Sequence, residues 1–284
     1  MFRCFSHNYN NSWLAGIIVL LALLLTSNVA FGAEELVMNG STTVLPIAQK
    51  AAEVYMKENP GVNISVSGTG SGDGIKALID GTTDIADSSR FIKDSEITQA
   101  IENGVFPVPH RIALDSIVPA VHPKNPVNGL SIEQLKKIYT GEITNWKAVG
   151  GEDKKIVVIS RDTSSGTYEV WYEKVLDKER VTPTASLLAS NGAVVTAVAQ
   201  NPYAIGYISL GYVNKEIKML TVDGITPNTA TTRNGKYPIA RPLFMFTNGW
   251  PKGVVMDFIN FMVSPRGQDL VAEVKYVPIY DVNK

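Results

Sequence analysis

The chain has 284 residues, of which 45 % are hydrophobic and 19 % charged, with a formal net charge of −1. This length supports one large or two smaller domains with real cores, and the composition excludes a disordered chain. No block of like charge marks a nucleic-acid tail, so no nucleic-acid partner is expected.

Residues 1–33 read as a signal peptide. Arg3 lies in a short polar start, and Trp13 to Leu25 is an unbroken apolar run. A spanning helix needs about 20 such residues, so the run fits an export signal better than a membrane anchor. Small residues follow at Ala30, Gly32 and Ala33. Cleavage after Gly32 puts Ala30 at the third position back, whereas cleavage after Ala33 puts Phe31 there. The expectation is an exported, periplasmic protein. Cys4 is the single cysteine and precedes the apolar run, so it is not a lipoprotein acylation site. Its removal leaves no thiol for a disulfide, a nucleophile or a zinc–thiolate site.

After the signal, strands and helices alternate. Leu36 to Gly40 reads as a strand, and a helix follows with Ser41 to Thr43 at its start and Leu45, Ala48, Ala52 and Tyr55 on one face. Asn59-Pro60-Gly61 ends it. VNISVSG is the next strand, then the turn TGSGDG and the helix IKALIDG. TDIAD is a third strand, followed by Ser88-Ser89-Arg90 and the helical KDSEITQAIENG. Ala113 to Pro123 is a long extended run of low polarity. LSIEQLKKIYTGEITNW reads as a helix capped by Ser131, with Glu133 in its first turn. VVIS is a strand that leads through Arg161 into Thr163-Ser164-Ser165-Gly166-Thr167 and a helix. SNGAVVTAVAQNPYAIGYISL is a helix, a turn at Asn201-Pro202 and a strand. Tyr237 to Asn248 is a second long extended run, which its two prolines should bar from a central ladder position. The C-terminal stretch is helical with a break at Ser264-Pro265. Neither an internal repeat nor a low-complexity segment occurs.

Strands separated by helices predict an α/β sheet with helices on both faces. The two long extended runs resemble crossings between two lobes.

Four strand-to-helix junctions carry one kind of chemistry: Ser41-Thr42-Thr43, Gly70-Ser71-Gly72, Ser88-Ser89-Arg90, and Arg161 with Ser165-Gly166-Thr167. Ligands of open α/β sheets sit outside the carboxyl ends of the strands. A helix start there exposes unpaired N–H groups and a partial positive charge, which makes an anion site. Glycines allow close backbone approach, hydroxyls add small donors, and an arginine fork adds two directed bonds to an oxyanion. A serine or threonine at one helix start is by itself a cap; four such junctions with an arginine go beyond capping. GTGSGDG fits neither a dinucleotide fingerprint nor a nucleotide P-loop. Asp73 and Asp87 lie near these junctions, either as solvated acids or as an acceptor for the proton of the ligand.

The segments NGSTTVLPIAQ, SVSGTGSGDGIKALIDGTTDIADSSR, LSIEQLKKIYTGEITNW, SRDTSSGTYE, NPYAIGYIS and FINFMVSPRGQ together resemble the periplasmic phosphate-binding proteins of ABC transporters, in the type II periplasmic-binding-protein family. The resemblance runs from Leu36 to about Pro278. The spacing R-x-x-x-S-G-T followed by A-I-G-Y, and I-Y-x-G-x-I-x-N-W, carry it most specifically. It implies a two-lobed fold, each lobe a mixed sheet flanked by helices, joined by two crossover strands. Residues 34–114 plus 243–284 form the first lobe and 115–242 the second. It implies that inorganic phosphate is trapped by Arg161, Ser165, Gly166 and Thr167 from the second lobe and by Ser41, Thr42, Thr43 and Ser71 from the first. Another branch of the family carries a proton-accepting aspartate near the position of Ser89. Here Ser88 and Ser89 would act as donors or a hydroxyl relay. The expected partners are phosphate and the permease subunits of an importer, for a monomer without cofactor.

Three other functions use the same residues. A binder of sulfate, molybdate or tungstate shares every feature except the proton acceptor. A secreted hydrolase would need a base beside Ser71 or Ser165, and neither His110 nor His122 lies in a triad context. A sensory or adhesion role could be built on the same fold. His110 and His122 have no third ligand nearby and read as isolated histidines. Trp171, Tyr172, Phe258 and Phe261 read as core. Tyr168 reads as core or cleft wall, Asn191-Gly192 as a turn or a cleft contact, and Arg90 as a partner of Asp87 or a solvent-facing cation.

Overall fold

The computed structural model describes residues 1–3 and 33–281. Residues 4–32 of the expected export signal, with Cys4 and the apolar run, lie outside these residues. The chain divides into two units, Met1–Ala33 and Glu34–Lys284, and the second carries the fold. Among the described residues no helix is long and apolar enough to cross a membrane.

Strand β1 (Glu34–Gly40) is followed by α1 (Leu45–Glu58), β2 (Val62–Gly68), α2 (Ser71–Ile79), β3 (Ile85–Ser88) and α3 (Asp94–Glu102). The apolar stripe Ile47, Ala48, Ala51, Ala52, Tyr55 repeats at three and four, so α1 buries one face. Pro46 stands in its first turn, where no donor is needed. α2 begins at Ser71, earlier than the expected Ile75. Its glycines are tolerated because tertiary contacts fix them: a side chain at Gly74 would meet Gly40 Cα at 2.6 Å, and Gly72 N donates to Ser164 O at 2.9 Å.

The long strand β4 (Pro107–Val121) leads to β5 (Gly129–Leu130), α4 (Ile132–Thr140), β6 (Val157–Arg161), α5 (Gly166–Lys174), β7 (Ser186–Leu188), α6 (Asn191–Ala199) and β8 (Ala204–Ser209). Then follow β9 (Lys218–Met219), β10 (Thr221–Val222), α7 (Thr229–Arg233), β11 (Ala240–Asn248), α8 (Gly253–Val263) and α9 (Pro265–Glu273). Ser131 caps α4 as expected, accepting from Gln134 N at 3.0 Å. The helix is shorter than the sequence suggests. Gly141 ends it in the left-handed conformation at φ 90°, and Trp146 opens a separate 3-10 turn.

The main sheet runs β2-β1-β3-β11-β4-β8-β6-β7, with β9 also on β4. β4 pairs with β11 from Pro107 to Ser116 and with β8 from Ile117 to Val121, so it crosses from one half of the molecule to the other. β11 lies between β3 and β4, contrary to the expectation drawn from its prolines. The reason is local. β3 pairs β11 only from Phe244 onward, so Pro242 faces a single strand, and the backbone of its opposite residue, Leu114, bonds to Val277 instead.

Core side chains form two groups. In the first half, Leu36, Met38, Ile85 and Met245 pack under α1, α8 and α9, while Ala86 and Phe246 pack under α2 and α3. In the second half, Trp171 of α5 stacks on Tyr207 at 4.3 Å under α4, while Ile159 and Ile208 pack under α6. Each fully buried aliphatic or aromatic side chain contributes about 1.5–3 kcal/mol. Each half is thus a sheet with helices on both faces. Trp171 and Phe258 lie in these cores, as expected.

Candidate functional site

The chain brings all four junctions to one place between the halves, the third through Ser89 alone. At the first, Ser41 Oγ accepts from Thr43 N at 3.1 Å and turns the chain into α1. At the second, Ser71 opens α2, and its Oγ accepts from Ser89 N at 3.0 Å. At the last, Asp162 Oδ1 accepts from the amide and hydroxyl of Ser164, and Ser165 Oγ accepts from Thr167 N and Tyr168 N at 3.2 Å. Ser165 Oγ therefore caps α5, and its hydroxyl hydrogen has no acceptor among the described residues.

Hydroxyls from the two halves meet directly. Thr43 Oγ1 of the first half lies 3.1 Å from Thr167 Oγ1 of the second, and within the first half Ser71 Oγ lies 3.2 Å from Ser89 Oγ. A Cβ on Gly166 would fall 2.4 Å from Ser71 Oγ and 2.7 Å from Ser89 Oγ, so only glycine fits there. Asn191 Oδ1 accepts from Ser209 N, which fixes Nδ2 as the donor to Thr42 Oγ1 at 3.2 Å and Thr43 Oγ1 at 3.0 Å. Tyr212 donates to Thr42 O and Tyr276 to Thr43 O. Burial pushes the Tyr212 phenol up to about 12.

Two buried arginines flank this cluster. Arg161 Nε donates to Leu188 O at 2.9 Å and Nη2 to Ala189 O at 2.8 Å. The expected two-pronged fork is thus anchored to backbone on one edge. Its Nη1 is buried without an acceptor among the described residues. Burial depresses the Arg161 pKa, Asp162 and Tyr207 oppose that, and the Arg241 cation lowers it further. Arg241, on β11, donates from Nε (3.1 Å) and Nη2 (2.9 Å) to Asp115 Oδ2 on β4. Its Nη1 reaches Ser89 O at 3.1 Å, and Nη2 reaches Thr43 Oγ1 at 3.2 Å and Thr167 Oγ1 at 3.0 Å. Burial pushes the Asp115 carboxyl up, against the Arg241 charge and bonds from Ser209 and Leu210. With four donors on its two oxygens, Asp115 stays a carboxylate.

Hydrogen counting gives the sign of the cluster. Thr43 Oγ1 accepts from Arg241 and Asn191, so its own hydrogen goes to Thr167 Oγ1. Thr167 then accepts twice, and its hydrogen has no acceptor among the described residues. The same holds for the Thr42 hydroxyl hydrogen and for one of the two in the Ser71–Ser89 pair. Together with Arg161 Nη1, this is a buried surplus of donors over acceptors, which favours an anion.

Of the residues expected at the site, Thr42, Thr43, Ser71, Ser89, Gly166 and Thr167 share direct contacts. Ser41 and Ser165 shape the turns beneath them. Ser88 is separate, because its hydroxyl donates to Arg90 O at 2.8 Å. Arg90 pairs with Glu96 at 2.6 Å, not with Asp87. Asp87 is fully buried, with neither carboxyl oxygen partnered among the described residues. Burial alone raises its pKa well above the usual carboxylate value, and no arginine of the site acts on it. Asn191 is a cleft contact rather than a turn residue. Tyr168 stacks on Tyr172 at 5.9 Å and lines a cavity of about 320 Å³ beside Arg161. His110 bonds Thr247, and His122 accepts from Lys124 N. Sequence reasoning missed Arg241, Asp115 and Tyr212. A signal for the first two existed: each of the two crossing runs, Ala113–Pro123 and Tyr237–Asn248, holds a single formally charged side chain besides histidine, and the two are of opposite sign. Charges in apolar runs are buried only when paired.

The sequence matches the PBP superfamily domain over residues 26–266. It is 34 % identical over 280 residues to the phosphate-binding protein PstS of Borreliella burgdorferi, covering 92 % of this chain and 98 % of that protein. To the phosphate-binding protein PstS of Bacillus subtilis it is 32 % identical over 249 residues, covering 87 % and 81 %. Among solved structures it superposes on a protein from Clostridium perfringens, assigned as a phosphate ABC transporter substrate-binding protein and solved with bound phosphate. The TM-score is 0.81 at 34 % identity, over 87 % of this chain and 100 % of the other. An ABC-type phosphate transport receptor from Vibrio cholerae gives a TM-score of 0.71 at 33 % identity, over 85 % and 99 %. The two halves are thus the lobes of a periplasmic-binding fold, and the chain belongs to the PBP superfamily, in the family of the PstS phosphate-binding proteins.

Proposed function

We propose that the protein binds inorganic phosphate between its lobes and delivers it to the membrane permease of an ABC importer. The observation that carries this reading is Arg161 Nη1, a buried cationic donor without an acceptor among the described residues, beside a surplus of hydroxyl donors. Thr42, Thr43, Ser71 and Ser89 of one lobe and Arg161, Gly166 and Thr167 of the other form the proposed contact set, with Ser41 and Ser165 holding the turns. The lobes are taken as residues 34–114 with 243–284, and 115–242. Ser88 is left out because its hydroxyl is committed to Arg90.

Phosphate carries a proton at neutral pH, so its site needs an acceptor that sulfate does not require. Asp87 and Asp115 do not supply it: the carboxyl of the first bonds no residue of the cluster, and four donors occupy the second. The Ser71–Ser89 pair supplies it instead. One hydroxyl donates to the other, and an oxygen of the pair keeps a free lone pair. Nothing in the cluster calls for bond-breaking chemistry, since among the described residues no general base bonds Ser71 or Ser165, and we read the protein as a carrier rather than an enzyme. Export past the cytoplasmic membrane by a cleaved signal, and action as a monomer, complete the proposal.

The test is titration calorimetry on ligand-stripped protein with phosphate, sulfate and molybdate at pH 6 and pH 8. One-to-one binding of phosphate with sulfate silent is expected. Preference for sulfate or molybdate, or no heat with any of them, would refute the reading. Arg161→Ala is expected to lower affinity roughly 100-fold or more, since two charge-assisted bonds at about 1.5–3 kcal/mol each are lost.

A further inference from the structure

Arg241 stands out because it belongs to neither lobe's set of helix starts. It sits on β11 opposite the point where β4 crosses between the halves, since Arg241 pairs in register with Asp115. From there one guanidinium touches both lobes: Ser89 O and Thr43 Oγ1 of the first and Thr167 Oγ1 of the second. Both it and Asp115 are buried, at 5 % and 0 % exposure.

The pair is not a simple salt bridge. Asp115 gives Arg241 only Oδ2, because Oδ1 accepts from Ser209 Oγ at 2.8 Å and Leu210 N at 3.1 Å. Arg241 Nη2 has two hydrogens and three acceptors within reach, namely Asp115 Oδ2, Thr43 Oγ1 and Thr167 Oγ1. One hydrogen goes to the carboxylate, and the other is shared between two hydroxyls. A shared bond to neutral oxygens is the weakest of the set, and an anionic oxygen is the stronger acceptor. Nearby, Arg161 is close enough for the Arg241 charge to act on it; Asp115 balances Arg241, while the carboxylate that acts on Arg161, Asp162, is only half-buried and takes its bonds from Ser164 rather than from the guanidinium. A buried excess cation is unfavourable until an anion joins it.

We propose that Arg241 is a second cationic donor to the bound oxyanion, carried on the crossover strand and charge-balanced by Asp115. The shared N–H turns from the two threonines to the ligand, and the freed hydroxyls follow it. Because this arginine contacts both lobes, ligand contact and lobe closure become one event. The inference rests on the phosphate reading above.

Calorimetry with inorganic phosphate on the ligand-stripped protein tests it, with Arg241→Lys and the charge-neutral double variant Asp115→Asn/Arg241→Gln. The double variant avoids an unpaired buried aspartate. Loss of one charge-assisted bond predicts roughly 10- to 100-fold weaker binding in the double variant, and a smaller but clear loss in Arg241→Lys, whose compact ammonium cannot keep all of these contacts. The loss is larger at pH 8, where phosphate is the dianion, than at pH 6. A folded double variant that binds within threefold of wild type would overturn the proposal, as would an equal loss at both pH values, which would mean that Arg241 only holds the threonines. If the double variant does not fold, Arg241→Lys decides, and binding within threefold overturns the proposal. If the unaltered protein binds no phosphate, the phosphate reading itself fails, and that outcome is visible before any variant is made.

Discussion

Gly166→Ala isolates closure from stability. Gly166 opens α5 of the second lobe, and the atoms opposite it, in Ser71 and Ser89, belong to the first. The added Cβ would lie 2.4 Å from Ser71 Oγ and 2.9 Å from Ser71 Cβ. Rotating the Ser71 hydroxyl relieves only the first of these, since the Cβ cannot rotate away. Ordinary contact begins at 3.4 Å, so the lobes must separate by an appreciable fraction of an ångström, approaching 1 Å if the hydroxyl keeps its place. The Thr43–Thr167 bond at 3.1 Å and the Gly72–Ser164 bond at 2.9 Å both span this gap and would be weakened or lost. Two or three such bonds at about 1 kcal/mol each give a loss of about 2–3 kcal/mol, or roughly 30- to 150-fold in Kd. The folded lobes lose nothing, because Gly166 does not have positive φ, and alanine at such a site adds about 0.5 kcal/mol of stability through the unfolded chain. Calorimetry with phosphate and a thermal melt without ligand measure the two effects. Weak binding with an unchanged or slightly higher Tm supports closure as the source of affinity. Binding within threefold of wild type, or a Tm lower by several degrees, refutes the reasoning.

Other outcomes follow from single groups. Asp87 is an acid whose folded pKa is raised by burial, so the stability tied to its neutral form is present below the unfolded pKa of about 3.9 and is lost as pH rises through the folded value. Melts from pH 4 to pH 8 should therefore show Asp87→Asn gaining on wild type as pH rises; a constant difference would mean that Asp87 does not titrate in this window. The ion pair of Lys93 and Glu169 links the turn before α3 to α5 across the lobes at 2.8 Å, but it is partly exposed. Lys93→Ala should weaken phosphate binding less than about fivefold, and 0.5 M salt should erase the difference. Ser131→Ala removes the cap of α4 and should cost about 1 kcal/mol in a denaturant melt with no change in phosphate Kd.

The order of strands and helices was legible because each element carries its own period. Ile47, Ala48, Ala51, Ala52 and Tyr55 mark one helix face, and Ser264-Pro265 marks the break between α8 and α9. The hydroxyl junctions were legible because serine and threonine at a helix start, with glycine beside them, serve a local geometry. Partnership across the fold was not. Ser88 and Ser89 are neighbours of the same type, yet one hydroxyl turns back to Arg90 and the other meets Ser71, and only the end of β3 decides which. Pro242 read as a bar to a central strand, but the ladder beyond it begins two residues later at Phe244, where β3 arrives.

Local chemistry in the sequence thus determined where anion-binding helix starts could form and that Arg161 would stand at one of them. The tertiary structure decided which donors are left over. It used one edge of Arg161 on the backbone of Leu188 and Ala189, and it brought Arg241 and Asp115 together from the two crossing strands. Sequence spacing carries no record of such pairs, because residues 115 and 241 become neighbours only when β4 and β11 align.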